Sequence, residues 1–229
     1  FANKKKIYLI EDNCESLGSK YKNKYLGSFG DFSSFSFYYS HQVTSGEGGM
    51  IACKTKDDYL LLKTLRAHGW DRDIQKERVN KKFNFINSGF NLRPLEISAA
   101  IGLNQFKRLS KMMSIRTYNR NKLINFIKKS ENWKKQFSFF YPHKNLKPSW
   151  FGFPILLDAK YIKKKEKFLN FLNKNRVETR PIISGNFVNQ PAINLYNINY
   201  DLKKLHNSKQ IDKRGFFIGL PTTRLSDKV

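Results

Sequence analysis

Three short stretches carry side chains that could do chemistry. The first is Glu11-Asp12, which ends the apolar run Ile7-Tyr8-Leu9-Ile10. An aspartate at the carboxyl end of a buried parallel strand sits where open α/β sheets bind ligands. An acid in that place can equally cap a helix or lie in a loop. The second stretch is Ser36-Phe37-Tyr38-Tyr39-Ser40-His41, and the third is Thr44-Ser45-Gly46-Glu47-Gly48-Gly49. Hydroxyls beside a turn of main-chain N–H groups can hold a phosphate. The P-loop form is excluded, because no Gly-Lys-Ser/Thr follows these glycines. His41 is one of four histidines. Imidazole can accept and return a proton near neutral pH, although a lone histidine also serves as a packed or surface side chain.

The elements that must position these groups follow from periodicity. Residues 7–10 read as a short buried strand, and residues 32–39 alternate aromatic with small polar side chains, as a second strand does. The glycines at 46–49 turn the chain into a third strand at 50–53, so a hairpin is expected. Tyr59, Leu62 and Leu65 mark a helix within residues 57–68, and residues 70–87 read as a polar loop. Pro94 opens a helix whose Leu95, Ile97, Ala99, Ala100, Ile101 and Leu103 suit burial. That helix runs on, with a kink, through Leu109, Met112 and Ile115 towards Ile127. Beyond Trp133 the pattern changes to a strand at 150–157, an amphipathic helix at 160–175, a strand at 177–183 and a last strand at 216–220. No internal repeat is visible. The pattern predicts an α/β stretch to about residue 110, then a smaller α+β unit.

Composition narrows the function classes. The chain has 229 residues, with 43 Lys and Arg against 18 Asp and Glu, a formal charge of +25. Such a charge invites a nucleic-acid reading, but the lysines are spread over most of the chain rather than gathered in one stripe. Asn, Ile, Phe and Tyr are abundant with Lys, as in proteins of AT-rich genomes, and this compositional explanation is preferred. Hydrophobic residues make up 40% and aromatics 15%, enough for a core. No run of about 18 apolar residues exists, so no membrane-spanning helix is expected. The two cysteines, Cys14 and Cys53, cannot build a four-thiolate metal site.

Taken together, the motifs are more specific than any one of them. The series Ile10-Glu11-Asp12, Gly18, Gly27-Ser28-Phe29-Gly30-Asp31, Phe35-Ser36-Phe37 and Gly46-Glu47-Gly48-Gly49 resembles the DegT-type sugar aminotransferase family. So do the later stretches Gly89-Phe90-Asn91-Leu92-Arg93-Pro94-Leu95-Glu96, Ala99-Ala100 and Arg180-Pro181. The family consists of fold-type I, pyridoxal-phosphate-dependent enzymes acting on nucleotide-linked keto sugars. Its members usually carry the cofactor-binding Lys just before the Thr-x-Gly-Glu-Gly-Gly stretch. Here that slot holds His41, and no Lys lies between Lys24 and Lys54. A His in this slot resembles the 3-dehydrase branch. The surroundings Arg66-Ala67-His68-Gly69-Trp70-Asp71-Arg72-Asp73, Ser149-Trp150-Phe151-Gly152-Phe153-Pro154 and Glu178-Thr179-Arg180-Pro181 resemble that branch as well.

The resemblance implies a fold: part of a large domain with a mainly parallel sheet and helices at residues 1–110, then a linker helix and small α+β domain at 111–229. It also implies chemistry. Pyridoxamine phosphate would condense with the 4-keto group of a nucleotide-linked 6-deoxy sugar. His41 would remove a proton from the cofactor's C4′ carbon, and the C3 hydroxyl would leave. A histidine cannot readily capture the cofactor covalently, which discourages transamination. Asp12 would pair with the ring nitrogen, Glu15 would lie near the ring's O3′, and Ser36 would bind the phosphate. Tyr38 would pack beside the cofactor or assist the proton transfer. Asn91 would reach the phosphate of a neighbouring subunit, making a homodimer. Arg180, Asn186 and Gln190 would lie near the sugar nucleotide, where an Arg suits a diphosphate.

One subtype of the branch holds an iron–sulfur cluster, its cysteines gathered after the Trp-x-Arg-Asp region. Here Trp70-Asp71-Arg72-Asp73 is followed by Ile74-Gln75-Lys76-Glu77, and no Cys occurs beyond Cys53. No cluster is therefore expected. The cluster-free subtype regenerates its amine from glutamate and releases a 3-deoxy sugar. A cytoplasmic enzyme of cell-surface polysaccharide synthesis, binding neither membrane nor nucleic acid, is the setting that fits. The chain starts without Met, and Ser226-Asp227 reads as a helix start at its end. Truncation is expected at both ends, and the fragment alone is expected to be inactive. The competing readings are an aminotransferase homologue disabled by loss of the Lys, and a basic nucleic-acid-binding module.

Overall fold

The computed structural model describes residues 1–74 and 83–226. In chain order the helices are α1 (Ala2–Lys5), α2 (Lys56–Leu65), α3 (Glu96–Phe106), α4 (Leu109–Lys129), α5 (Lys165–Lys174) and α6 (His206–Arg214). The strands are β1 (Ile10–Asp12), β2 (Lys20–Tyr21), β3 (Lys24–Tyr25), β4 (Phe32–Ser36), β5 (Gly49–Cys53), β6 (Phe137–Phe139), β7 (Leu146–Lys147), β8 (Gly152–Leu157), β9 (Thr179–Arg180) and β10 (Gly215–Gly219). The chain divides into two units, Phe1–Lys111 with Lys144–Ser149, and Met112–His143 with Trp150–Val229.

Alternation at residues 32–36 makes β4 the middle strand of a sheet ordered β1-β4-β5 in the first unit. β1 and β4 run parallel, in register from Ile10↔Phe32 to Asp12↔Ser34. β4 and β5 are antiparallel, from Phe32↔Cys53 to Ser36↔Gly49. The mainly parallel sheet expected from sequence is thus corrected: among the described residues β1–β4 is the one parallel ladder, and the others are antiparallel. Parallel neighbours need a long crossover. Residues 13–31 supply one, whereas the chain returns directly from β4 to β5.

The buried strand expected at 7–10 is also corrected. The ladder begins only at Ile10, which is 69% exposed and lies in the edge strand of its sheet. Helix α3 likewise has no buried side chain, although its apolar residues suggested a core helix. Thr55 starts α2, its hydroxyl accepting the Asp58 N–H at 3.1 Å, with Asp57 and Asp58 in the first turn. Of the loop expected at 70–87, residues 75–82 lie outside the described residues. Trp70 bridges to Phe85. A hairpin with no sequence expectation joins β2 to β3 through Lys22 and Asn23, whose φ angles of 47° and 64° suit a type I′ turn. β7 pairs along β2.

In the second unit β10 inserts between β8 and β9, antiparallel to both, in a sheet ordered β6-β8-β10-β9. Pro154 sits in β8 just before pairing with β6 begins at Ile155, where its missing N–H costs no ladder bond to that strand. Ile124 of α4, Phe139, Trp150, Phe153, Ile155, Phe216 and Leu220 form the core. The helix expected at 160–175 opens with a 3-10 segment, Ala159–Lys164, capped by Asp158, before α5 takes over. The strand expected at 177–183 is only β9, since Pro181 cannot donate to a ladder. One face of α4 grips the chain after β10. Arg116 donates to the Leu220 carbonyl at 3.2 Å, Asn119 to the Pro221 and Thr223 carbonyls at 3.0 and 2.8 Å, and Lys122 to the Leu225 carbonyl at 3.0 Å. Asp227, read as part of a helix start, lies outside the described residues. Among the described residues no helix is long and apolar enough to cross a membrane.

Candidate functional site

Side chains alternate across a strand, so the parallel register of β1 and β4 sorts their polar groups onto two faces. Asp12, Ser34 and Ser36 share one; Glu11, Ser33 and Phe35 share the other. On the first face the Ser34 hydroxyl donates to Asp12 Oδ1 at 3.2 Å, and the Cys14 N–H donates to the same oxygen at 3.1 Å. Bonds from the Cys14 thiol and N–H, with that of Ser34, hold the Asp12 carboxyl below its ordinary range. The site thus presents a carboxylate that stays ionised.

The loop from β4 to β5 folds back over this strand end. Phe37 donates to the Gly48 carbonyl and Ser45 to the Phe37 carbonyl, both at 2.9 Å. The Ser36 hydroxyl accepts the Tyr38 N–H at 3.2 Å, and the His41 N–H reaches the Tyr38 carbonyl at 3.0 Å. The rings of Tyr38 and His41 meet edge to face, 5.8 Å apart. Next to His41, the buried Gln42 donates its amide to the Glu15 carbonyl. Gln42 Oε1 is buried and has no partner among the described residues. Burial pushes the Glu15 carboxyl up; His41 opposes that shift and Asp12 adds to it. Asp12, Glu15, Ser36, Tyr38 and His41 are therefore one neighbourhood of the first unit.

The remaining residues singled out in the sequence stand elsewhere. Asn91 lies in the first unit as the partner of Ala67 in an isolated bridge, and it is exposed. The second unit holds the other three. Arg180 is in β9 opposite Phe217, with its guanidinium 2.9 Å from Glu178 Oε1. Asn186 is buried, and its carbonyl accepts the Asn189 N–H at 3.0 Å. Gln190 caps a turn of helix beginning at Pro191. Cys14 and Cys53 are free and half-buried. Among the described residues no group of three or more His, Cys, Asp or Glu could hold a metal ion.

Sequence reasoning missed Ser34 and Gln42. The alternation at 32–36 already places Ser34 beside Ser36, so the signal for Ser34 was present. Gln42 follows a histidine in a loop, and only the fold brings it to residue 15.

Known proteins resemble the chain over nearly its whole length. It is 34% identical over 236 residues to GDP-4-keto-6-deoxy-D-mannose 3-dehydratase of Escherichia coli O55:H7, covering 97% of this chain and 58% of that protein. A solved structure of the E. coli GDP-4-keto-6-deoxy-D-mannose-3-dehydratase with bound hydrated PLP superposes with a TM-score of 0.86 at 31% identity, covering 99% of this chain and 59% of that one. A structure of GDP-4-keto-6-deoxymannose-3-dehydratase with a trapped PLP-glutamate geminal diamine gives 0.84 at 31% identity, covering 97% of this chain and 58% of that one. The chain thus spans somewhat over half the length of these relatives. The model of the DegT/DnrJ/EryC1/StrS aminotransferase family matches residues 1–227, and the chain belongs to that family.

Proposed function

We propose that this chain is part of a pyridoxamine-phosphate-dependent 3-dehydratase acting on a nucleotide-linked 4-keto-6-deoxy sugar. The observation that carries the reading is His41. It occupies the loop beside Glu15 and Tyr38, in a stretch from residue 25 to 53 that contains no lysine. Resemblance to dehydratases along the whole chain supports it.

The residues present fit the cofactor. Asp12 offers an ionised carboxylate for a protonated ring nitrogen, with Ser34 and Ser36 on the same sheet face. Gln42 Oε1 is an orphaned buried acceptor in the adjoining loop. Asp12 would hold the ring nitrogen, Glu15 would face the ring's O3′, and Ser36 would bind the phosphate. When bound, the cofactor would supply an amine for the 4-keto group and a ring that takes up the electron pair freed at C4′ and returns it to expel the C3 hydroxyl. His41 takes the proton from the cofactor's C4′ carbon, as a positioned general base does. Tyr38 packs against the imidazole and restricts its orientation.

In this reading residues 1–110 belong to the cofactor-binding domain, and residues 111–229 form the linker helix and small domain. Arg180, Asn186 and Gln190 meet the sugar nucleotide, Asn91 serves the partner subunit of a homodimer, and glutamate restores the amine. The relative with trapped PLP-glutamate supports the choice of donor. A nucleotide-linked substrate supports a cytoplasmic setting. The test uses the complete protein with pyridoxamine phosphate and a 4-keto-6-deoxy sugar nucleotide. A 3-deoxy product is expected, and His41→Asn should abolish it. His41→Lys should gain a cofactor adduct that borohydride fixes to the protein. Transamination at C4 by the wild-type protein, with no loss of the C3 oxygen, would sink the proposal.

A further inference from the structure

Glu11 and the motif Gly27-Ser28-Phe29-Gly30-Asp31 have no part in the chemistry above, yet they form a lock behind it. Glu11 points to the sheet face opposite Asp12. There its carboxylate accepts three main-chain N–H groups: Gly27 at 2.7 Å on Oε2, and Phe29 and Gly30 at 2.7 and 2.5 Å on Oε1. Ser33, beside Glu11 in the parallel ladder, donates to the Gly27 carbonyl at 2.8 Å. The turn answers in kind, since the Asp31 carboxylate accepts the Leu9 N–H at 2.8 Å and the Asp31 N–H donates to the Leu9 carbonyl at 2.7 Å.

Two glycines let the turn come this close. Gly27 has φ 91°, and a Cβ there would lie 2.4 Å from the Phe35 ring. At Gly30 a Cβ would lie 2.6 Å from the Leu9 carbonyl oxygen. Burial opposes ionisation of Glu11, but the N–H groups of Gly30, Gly27 and Phe29 outweigh it and hold the carboxyl below its ordinary range.

We propose that Glu11 is the positioning residue of Asp12, fixing the β1 main chain from behind so that the Asp12 carboxylate meets the cofactor's ring nitrogen. The proposal rests on the assignment of Asp12 made above. The test compares the binding of two ligands to the complete protein: pyridoxal phosphate, and its 1-deaza analogue, in which a C–H replaces the ring nitrogen. Only the first can use Asp12.

The wild-type protein should prefer pyridoxal phosphate by about tenfold or more, as a charge-assisted hydrogen bond provides. Glu11→Gln keeps the shape but sets an amide N–H against main-chain N–H groups, and it should cut that preference to about twofold. A purely structural role would weaken both ligands alike. A preference unchanged in Glu11→Gln would therefore overturn the positioning role and leave Asp12 intact. No preference in the wild-type protein would overturn the Asp12 assignment and the proposal together. Should Glu11→Gln fail to fold, Ser33→Ala removes one hydroxyl from the same lock and should give a smaller loss of the same preference. An unchanged preference in Ser33→Ala would then count against the proposal.

Discussion

In the second unit the strands carry aromatic side chains into a shared interior, whereas in the first the strand bearing Asp12 is fixed by hydrogen bonds to main-chain groups. Among the described residues, Phe139, Trp150, Phe153, Ile155 and Phe216 are buried in the second unit, and Phe139 stacks on Phe153 with centroids 5.5 Å apart. The first unit buries Val43, Ala67 and Leu109 but leaves α3 and the approach to β1 exposed. Apolar burial tolerates small shifts in side-chain position; a carboxylate proposed to meet a ring nitrogen does not. Directional bonds from Glu11, Ser33, Asp31 and Gln42 suit the second demand.

That contrast can be broken from either side. The largest effect is expected for Phe216→Ala, since Phe216 is fully buried in the second core. The loss should be about 3–5 kcal/mol. Hydrogen exchange read by mass spectrometry should show faster exchange in β8 and β10 while β1 and β4 keep their protection. Asn119→Ala should cost about 3 kcal/mol, because it removes the two donations to the Pro221 and Thr223 carbonyls and the acceptor of the Leu225 N–H. Its exchange signature should be confined to residues 220–226 and α4. Equal exchange in both units for either variant would show that the two do not hold themselves separately.

The smallest effect concerns acid. Glu11 ionises more readily in the folded chain than its ordinary value of 4.5 allows, so the folded state binds fewer protons there. The stabilisation it gives is complete above that value and is lost as the pH falls through the lower folded-state value. Between about pH 6 and about pH 3 the wild-type first unit should therefore lose more stability than Glu11→Gln does. Urea unfolding at the two pH values measures the difference. Parallel losses in both proteins would place the acid sensitivity elsewhere.

Much of this was legible in the sequence, though unevenly. Alternation at 32–39 and the glycines at 46–49 marked β4, which ends at Ser36, its turn and β5. The helix spacing at 59, 62 and 65 marked α2. Asp12, Ser36 and His41 stood out by type and order, and the fold gathers them. What stayed hidden depends on partners far along the chain. Nothing local tells whether the run at 7–10 is covered, and the structure leaves it at a sheet edge. The antiparallel return from β4 to β5 is the hairpin that the glycines at 46–49 marked, whereas the mainly parallel sheet implied by the resemblance gives way to a single parallel ladder, β1–β4, among the described residues. The role of Glu11 needs the turn at 27–30 brought against it, a relation between residues 16 to 19 positions apart.

The central claim is that His41 moves the C4′ proton. It is tested most directly by washout of deuterium from pyridoxamine phosphate labelled at C4′, in the complete protein with a 4-keto-6-deoxy sugar nucleotide. The account predicts rapid loss of one C4′ deuteron in the wild-type protein, and a rate lower by about a hundredfold or more in His41→Asn. Washout in His41→Asn at the wild-type rate would contradict it.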